Sequence, residues 1–251
     1  MSQTQLTEQS WAGSVAISAG IGVFLGVSGE NKPHKHWAHQ IAIGLDGPIE
    51  VLSGDSQYVK RGLWIPAGIA HQLKAARVLC LYIDPTHEVC QTLSPPMVPH
   101  EGAVVALGEE VSSAYVTRFT QVGDLQAALL RFNQPCRCHP DSASDGRLKV
   151  IMAALESDLA NGGDTSLKAL SDLVYLSPSR FSHWFTEQTG LPLRSYRKWL
   201  RLLVGFELSR RMPLAAAAVG AGFSDQAHFC RSVTQAFGVS STTIRRLLAH
   251  E

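Results

Sequence analysis

The chain has 251 residues, of which 45% are hydrophobic, 17% charged and 8% aromatic, with a formal charge of +1. That composition excludes wholesale disorder, and the length suits one or two domains. The longest apolar-looking stretch, 214–223, is rich in Ala and Gly and about half the length needed to span a bilayer. The first 30 residues lack the basic start, apolar run and small-residue cleavage site of an export signal, and five scattered cysteines make no disulfide framework. A cytoplasmic protein with no membrane partner is expected.

Residues 15–85 are built from short apolar runs, Ile21–Val27, Gln40–Leu45 and Arg77–Ile83 among them. Ser28-Gly29, Asp46-Gly47-Pro48 and Ser53-Gly54-Asp55 separate them. Closely spaced runs punctuated by Gly, Pro and Asp predict an all-β sandwich or barrel. Residues 86–110 read as irregular and Pro-rich around Ser94–Pro99. Leu125, Ala128, Leu129 and Phe132 then fall at helical spacing, either as a dimer seam or as a face packed on the barrel. Asn133–Gly146, with Pro135 and Pro140, reads as a linker. Its Cys136-Arg-Cys138-His139 is either a pair of linker thiols or part of a thiolate sensor. C-x-C-H alone is an incomplete tetrahedral site, which favours the first.

From Arg147 onward the pattern is helical. Asp164-Thr165-Ser166 opens one helix, and Ser177-Pro178 opens the next with a cap and a proline at the first helical position. Gly190-Leu191-Pro192 ends that helix, Leu193 to Arg210 continues at helical spacing, and Ser224-Asp225 caps a helix running to Gly238. Residues 141–251 hold 13 Lys and Arg against 10 acids, a surplus of three, while the remainder carries 9 against 11. The surplus gathers in Arg180–Arg211, where seven basic residues face only Glu187 and Glu207. Such a stripe favours an anionic partner.

This half repeats itself. Shifted by 48 positions, the segment from Ser179 meets that from Ala227, so that Phe181 falls on Phe229, Thr186 on Thr234, Gly190 on Gly238 and Arg197 on Arg245. Each copy reads as a short helix, a tight turn, a capped second helix, then Gly plus an aliphatic, the layout of a helix-turn-helix. The connector Leu193–Arg210 spans roughly 27 Å as a helix. With the offset of two packed units, the second helices come about 34 Å apart, one turn of B-DNA.

Ser177-Pro-Ser-Arg-Phe-Ser-His-Trp-Phe-Thr-Glu-Gln-Thr-Gly190 resembles the first recognition helix of AraC/XylS-type transcription regulators. Gly222-Phe-Ser-Asp-Gln-Ala-His-Phe229, continuing to Phe237-Gly238, resembles that family's second motif, and the likeness covers about Leu167–Arg246. It implies that outward positions early in each second helix face the bases. Here these are Ser179, Arg180, Ser182 and His183, then Gln226, Ala227, His228 and Arg231. Arg231 suits guanine and Gln226 adenine, while Ser179, Ser182 and Ala227 suit phosphate or a thymine methyl. Phe181, Trp184, Phe185, Trp199, Phe223 and Phe229 read as core. Ala215–Ala218 departs from the larger aliphatics of the family and leaves the packing of the second unit open.

The β half carries ligand-type residues: His34-Lys-His36-Trp-Ala-His39-Gln40, then Pro66-Ala-Gly-Ile-Ala-His71. On a strand His34, His36 and Gln40 share one face and His39 points away. The spacing resembles the two cupin motifs over residues 20–85, with Gln40 where metal cupins have a carboxylate and no Asn shortly after His71. His34, His36, Gln40 and His71 are read as an effector or metal site for a divalent transition metal such as Zn, Fe, Ni or Co. A metal-free pocket that hydrogen-bonds a small effector and a set of satisfied barrel histidines stay open beside it. Trp37, Trp64 and Tyr82 wall the cavity or fill it.

The two resemblances together imply an α+β multidomain chain: a cupin-like β-barrel, then an all-α domain with two helix-turn-helix units joined by a long helix. The expected boundaries are 10–110 for the effector domain, 111–146 for a dimerisation helix and linker, and 147–251 for the DNA-binding domain. The expected function is a sequence-specific, non-enzymatic transcription regulator on double-stranded DNA, an activator by resemblance. Its partners would be a small-molecule or metal effector, RNA polymerase and a second copy of the chain. The alternative is a cupin metalloenzyme of dioxygenase or isomerase type on a DNA-binding tail; no nucleophile motif or phosphate loop supports it.

Overall fold

A computed structural model describes residues 11–18, 20–87, 89, 104–121, 123–133 and 146–248. Cys136 and Cys138 lie outside the described residues. Among the described residues nine strands come first: β1 (Ala12–Ser18), β2 (Ile21–Val27), β3 (His39–Gly44), β4 (Ile49–Ser53), β5 (Ser56–Lys60), β6 (Gly62–Ile65), β7 (Gln72–Lys74), β8 (Arg77–Ile83) and β9 (Val105–Ala106). They form a six-stranded antiparallel sheet in the order β1-β2-β8-β3-β6-β9 and a three-stranded one in the order β5-β4-β7.

Alternation sorts the side chains of the larger sheet. Phe24, Ala42, Leu63, Val78 and Cys80 face Ile49, Val51 and Leu73 of the smaller sheet across the barrel interior. Ile21, Val23, Ile41, Ile43, Leu79 and Leu81 face the other way. Both faces of β8 are covered, which is why Val78–Leu81 reads as an unbroken apolar run. Gly54, at φ 55°, makes the two-residue turn between β4 and β5, one of the expected turns.

The outward face is covered by α1 (Glu109–Thr120) and α2 (Leu125–Phe132), through Tyr115, Phe119, Leu125, Ala128 and Leu129. The apolar stripe of α2 therefore packs on its own barrel. Gln126 adds two hydrogen bonds to the backbone of Ile17, at 3.3 and 3.1 Å. Of the side chains suggested for a dimer seam, Leu125 and Leu129 are buried within the chain and Phe132 is half-buried. Helix α1 is not anticipated by the sequence, where its start merges with the Pro-rich stretch.

Seven helices follow: α3 (Gly146–Asn161), α4 (Leu167–Leu173), α5 (Pro178–Thr189), α6 (Leu193–Ser209), α7 (Leu214–Gly220), α8 (Gln226–Phe237) and α9 (Ser241–Leu248). The 48-residue shift maps α5 onto α8 end for end, and each has 12 residues. Ser177 Oγ accepts from the Arg180 amide at 3.4 Å and Asp225 Oδ1 from the His228 amide at 2.6 Å, one cap per unit. Gly190 and Gly238 close them in the left-handed conformation, at φ 68° and 69°. The six aromatic residues expected in the core are all buried. In the alanine run Ala217 and Ala218 are fully buried, while Ala215 and Ala216 are exposed. No helix among the described residues is long and apolar enough to cross a membrane.

Candidate nucleic-acid interface and barrel pocket

Helices α5 and α8 bury one face each, through Phe181, Trp184 and Phe185 in the first and Phe229, Ser232, Val233 and Ala236 in the second. The opposite faces are open. Ser179, Arg180, Ser182, His183, Gln226, Ala227 and Arg231 are exposed, as the sequence reading requires. Two members are partly engaged already. The Ser182 hydroxyl donates to the Pro178 carbonyl at 2.9 Å. His228 is half-buried, its ring 5.2 Å from that of Phe223 and its Nδ1 3.2 Å from Ser224 Oγ. It belongs to the cap of α8 as much as to the exposed face. The His228 amide holds the Asp225 carboxyl below the usual carboxylate range.

The basic stripe is partly neutralised from within. Arg197 pairs with Asp158 and Asp164, Arg201 with Asp164, and Arg210 and Arg211 with Glu207. Among the described residues Arg180 and Arg231 form no ion pair. These acids lie far along the chain from the stripe or on a neighbouring turn, and their pairing cannot be read from a charge count. The sequence also gives no warning of Tyr175. It holds φ 56° at the turn before α5 and is 96% exposed, whereas Phe223, its counterpart in the second unit, is buried behind Gly222 at φ 81°.

In the barrel, the expected strand through His34, His36 and Gln40 is only half formed. Regular strand begins at His39, because Pro33 offers no amide and Trp37 and Ala38 turn into the core of the helical half. The convergence survives. His34 and His71 exchange backbone hydrogen bonds at 2.9 and 2.8 Å, and the rings of His34, His36 and His71 lie with centroids 4.6–5.0 Å apart. One ligand atom from each falls within 4.8 Å of the others. His39 points away, accepting from the Ala67 amide at 3.1 Å and lying against Trp64.

Backbone carbonyls fix the tautomers. His34 Nδ1–H donates to Lys32 O at 2.7 Å and His71 Nδ1–H to Ile69 O at 2.9 Å, so each neutral ring keeps its lone pair at Nε2. The Gln40 carboxamide oxygen is placed 3.0 Å from His36 Nε2 and 2.9 Å from His71 Nε2. A lone pair at His71 Nε2 calls for a donor, which the carboxamide supplies by exchanging its two ends. Its other end then meets the Cys80 sulfur, 3.5 Å away. His36 Nδ1 is buried with no hydrogen bond.

Burial keeps this cluster neutral. It pushes His34 down to about 4, aided by the nearby His71, drives His36 well below its ordinary value and lowers His71. It also pushes the Cys80 thiol up to about 12. Three neutral imidazoles, those of His34 and His71 with backbone-fixed Nδ1–H groups and that of His36 with a buried unpartnered nitrogen, together with a turnable carboxamide fit a borderline divalent cation.

Residues 170–247 match a family described as a helix-turn-helix domain. Over 103 residues the chain is 31% identical to the arabinose operon regulatory protein of Escherichia coli strain K12, covering 40% of this chain and 35% of that protein. Over 127 residues it is 32% identical to the HTH-type transcriptional activator RhaR of Pectobacterium atrosepticum, covering 49% and 43%. The chain thus spans less than half the length of these curated relatives. The helical half is a helix-turn-helix domain of the AraC type. Its arrangement behind a barrel is also known: ToxT from Vibrio cholerae O395 superposes with a TM-score of 0.59 at 10% identity, over 93% of this chain and 100% of that one. Unsaturated fatty acid-bound ToxT from V. cholerae strain SCE256 gives 0.59 at 9% identity, over 93% and 98%. At that identity the likeness concerns the fold.

The AraC-type domain packs directly against the barrel. Trp37 of the barrel enters the helical core, with Lys198 Nζ of α6 4.9 Å above its ring. Trp64 lies on the outer face of the sheet, so of the three aromatics expected at the cavity only Tyr82 lines it. The cavity is an apolar cleft between the two halves of the molecule, with a volume of about 80 Å³. Val15, Phe24 and Tyr82 wall it from the barrel, and Trp199, Phe206 and Phe237 of the AraC-type domain close it. Tyr82 and Phe237 also cover His36, at ring distances of 4.8 and 5.4 Å. The sequence offers no signal for this cleft, since its barrel and helical walls come from segments more than 100 positions apart.

Proposed function

We propose that the protein is a sequence-specific DNA-binding transcription regulator, an activator, whose barrel takes an effector against the AraC-type domain. The observation that carries this reading is the end-for-end correspondence of α5 and α8, each capped alike and each presenting an open face. Arg231 and Gln226 would read guanine and adenine, Arg180 and His183 would serve the other groove, and the small Ser179, Ser182 and Ala227 would allow close approach. His228 would contribute chiefly by holding the cap. The protein works in the cytoplasm without catalysing a reaction, and RNA polymerase is its partner at the promoter. If it pairs with a second copy, the surface lies outside the buried stripe of α2.

Two chemistries support effector binding. The cleft suits an apolar small molecule, and ToxT, which shares the fold, is known with an unsaturated fatty acid bound. His34, His36 and His71, with Gln40 beside them, would hold a divalent cation, which there would supply a fixed positive charge. The metalloenzyme reading is not favoured, because Gln40 stands where metal cupins have a carboxylate and Tyr82 and Phe237 cover His36.

Genome-wide binding-site selection with the purified protein over a salt series tests the proposal. The expected result is enrichment of specific sites, with log affinity falling steeply against log salt. Equal affinity for selected and scrambled duplex would overturn it.

A further inference from the structure

We infer that the loop Lys32–Trp37 couples occupancy of the histidine cluster to the seating of the second recognition helix, α8. The inference rests on the reading of the cluster as a cation site and adds how that site would be felt by the DNA-binding half. The loop faces both ways. Towards the barrel it supplies His34 and His36. Towards the helical domain its Lys32 amide donates to Gly238 O at 3.0 Å and its Lys35 amide to Gln235 O at 3.4 Å, the last residues of α8 and its C-cap. His36 lies against Phe237, the final residue of the helix. Gln235 is held again from its side chain, which accepts from Lys198 Nζ at 3.0 Å.

The repeat supplies an internal comparison. Gly190 and Gly238 end equivalent helices in the same left-handed conformation. A Cβ at Gly190 would meet nothing within 4 Å, whereas one at Gly238 would lie 2.4 Å from Lys32 O and 2.6 Å from His34 Nδ1. These are the two atoms of the hydrogen bond that fixes the His34 tautomer. The first unit ends in open space and the second ends on the cluster. The loop has little slack to absorb a shift, because Pro33 fixes its own φ and His34 is bridged to His71 in both directions. A cation that draws the imidazoles of His34, His36 and His71 to one centre therefore moves Lys32 and His36 against Gly238 and Phe237. By linkage, a change in the seat of α8 alters cation affinity by the same factor.

The test uses the full chain and Co(II) alone. Binding is followed by visible absorption and the helix ends by amide hydrogen exchange. Co(II) is expected to change exchange in the last turn of α8 at least threefold and to leave the last turn of α5 unchanged. Gly238→Ala is expected to shift Co(II) affinity at least fivefold, while Gly190→Ala, with the same backbone strain and open space, leaves it unchanged. If Gly238→Ala does not fold, Phe237→Leu, which removes the ring from His36, is expected to show the affinity shift. Absence of a Co(II) spectrum would overturn the cation reading and the coupling together. A Co(II) spectrum with unchanged exchange at α8, or equal affinities in the two glycine variants, would overturn the coupling alone.

Discussion

Asp84 and Trp199 stand 115 positions apart and meet across the boundary between barrel and helical domain, the indole Nε1 donating to Asp84 Oδ2 at 3.1 Å. The Tyr196 hydroxyl, one turn earlier on α6, donates to the same carboxylate with both oxygens 3.0 Å away. Asp84 is buried, as are both donors. The helix that joins the two helix-turn-helix units is thus tied to the first residue after β8. Burial, and then the adjoining Asp84, raise the Tyr196 hydroxyl above its ordinary range, so it remains a donor at any working pH.

Asp84→Ala leaves an indole N–H and a phenol without their acceptor in a closed seam, and is expected to cost about 2–4 kcal/mol in urea unfolding. Asp84→Asn, which keeps one acceptor, is expected to cost less than half of that. The measurement is the shift in denaturant midpoint, with Trp fluorescence moving to longer wavelength as the seam opens. A cost below about 0.5 kcal/mol for Asp84→Ala would show that the seam contributes little.

Arg231 is exposed on α8 and free of ion pairs among the described residues. Arg231→Ala is expected to remove about 1–3 kcal/mol of specific binding and to relax choice at one base pair, measured by anisotropy on a panel of single-base variants. A uniform loss across all sequences would assign Arg231 to phosphate. His228→Asn, which leaves a side chain able to bond Ser224, is expected to change specificity less than Arg231→Ala.

Stability should fall on acidification. His34 and His39 sit at about 4 in the folded protein against an ordinary 6.5, each mainly through burial. Between those values the unfolded chain binds more protons than the folded one, so unfolding becomes easier as pH drops from 6.5 to 4. The contribution is fully present above pH 6.5. His36, lowered by burial as well, contributes a loss of the same sign. His39→Asn retains an acceptor for the Ala67 amide and is expected to flatten the thermal-stability profile in this window. An unchanged slope would contradict the assignment.

Gln40→Glu returns an anionic oxygen to a cluster of neutral donors, and is expected to raise Co(II) affinity at least tenfold, about 1.4 kcal/mol. His71→Ala should abolish binding, and His39→Ala should leave it intact because His39 faces Trp64 rather than the cluster. Equal Co(II) affinity in the parent and Gln40→Glu would place the metal elsewhere.

Much of this architecture is legible in the chain because it rests on local rules. Ser177, Asp225, Gly190 and Gly238 announce the ends of α5 and α8 by cap chemistry, and the 48-residue period makes each helix a check on the other. His34, His36, Gln40 and His71 are recoverable from spacing, although a loop and not a strand brings the first two in. Contacts decided at long range are not legible. The seat of Trp37 beneath Lys198, the pairing of Arg197 with Asp158 and the covering of His36 by Phe237 depend on how two separately patterned halves meet. Helix α1 is missed for a different reason: its N-cap is Gly108, so it opens without a side-chain cap to announce it.

The central claim is that two like units on one chain read successive major grooves from the same side. Helix α6 has 17 residues, about 25 Å at 1.5 Å per residue, and sets the separation. Hydroxyl-radical footprinting on the best selected duplex, with a second duplex carrying five extra base pairs at its centre, tests this most directly. Two protected windows about 10 base pairs apart on one face are expected, with at least a tenfold loss of affinity on insertion. A single window, or affinity indifferent to the insertion, would contradict it.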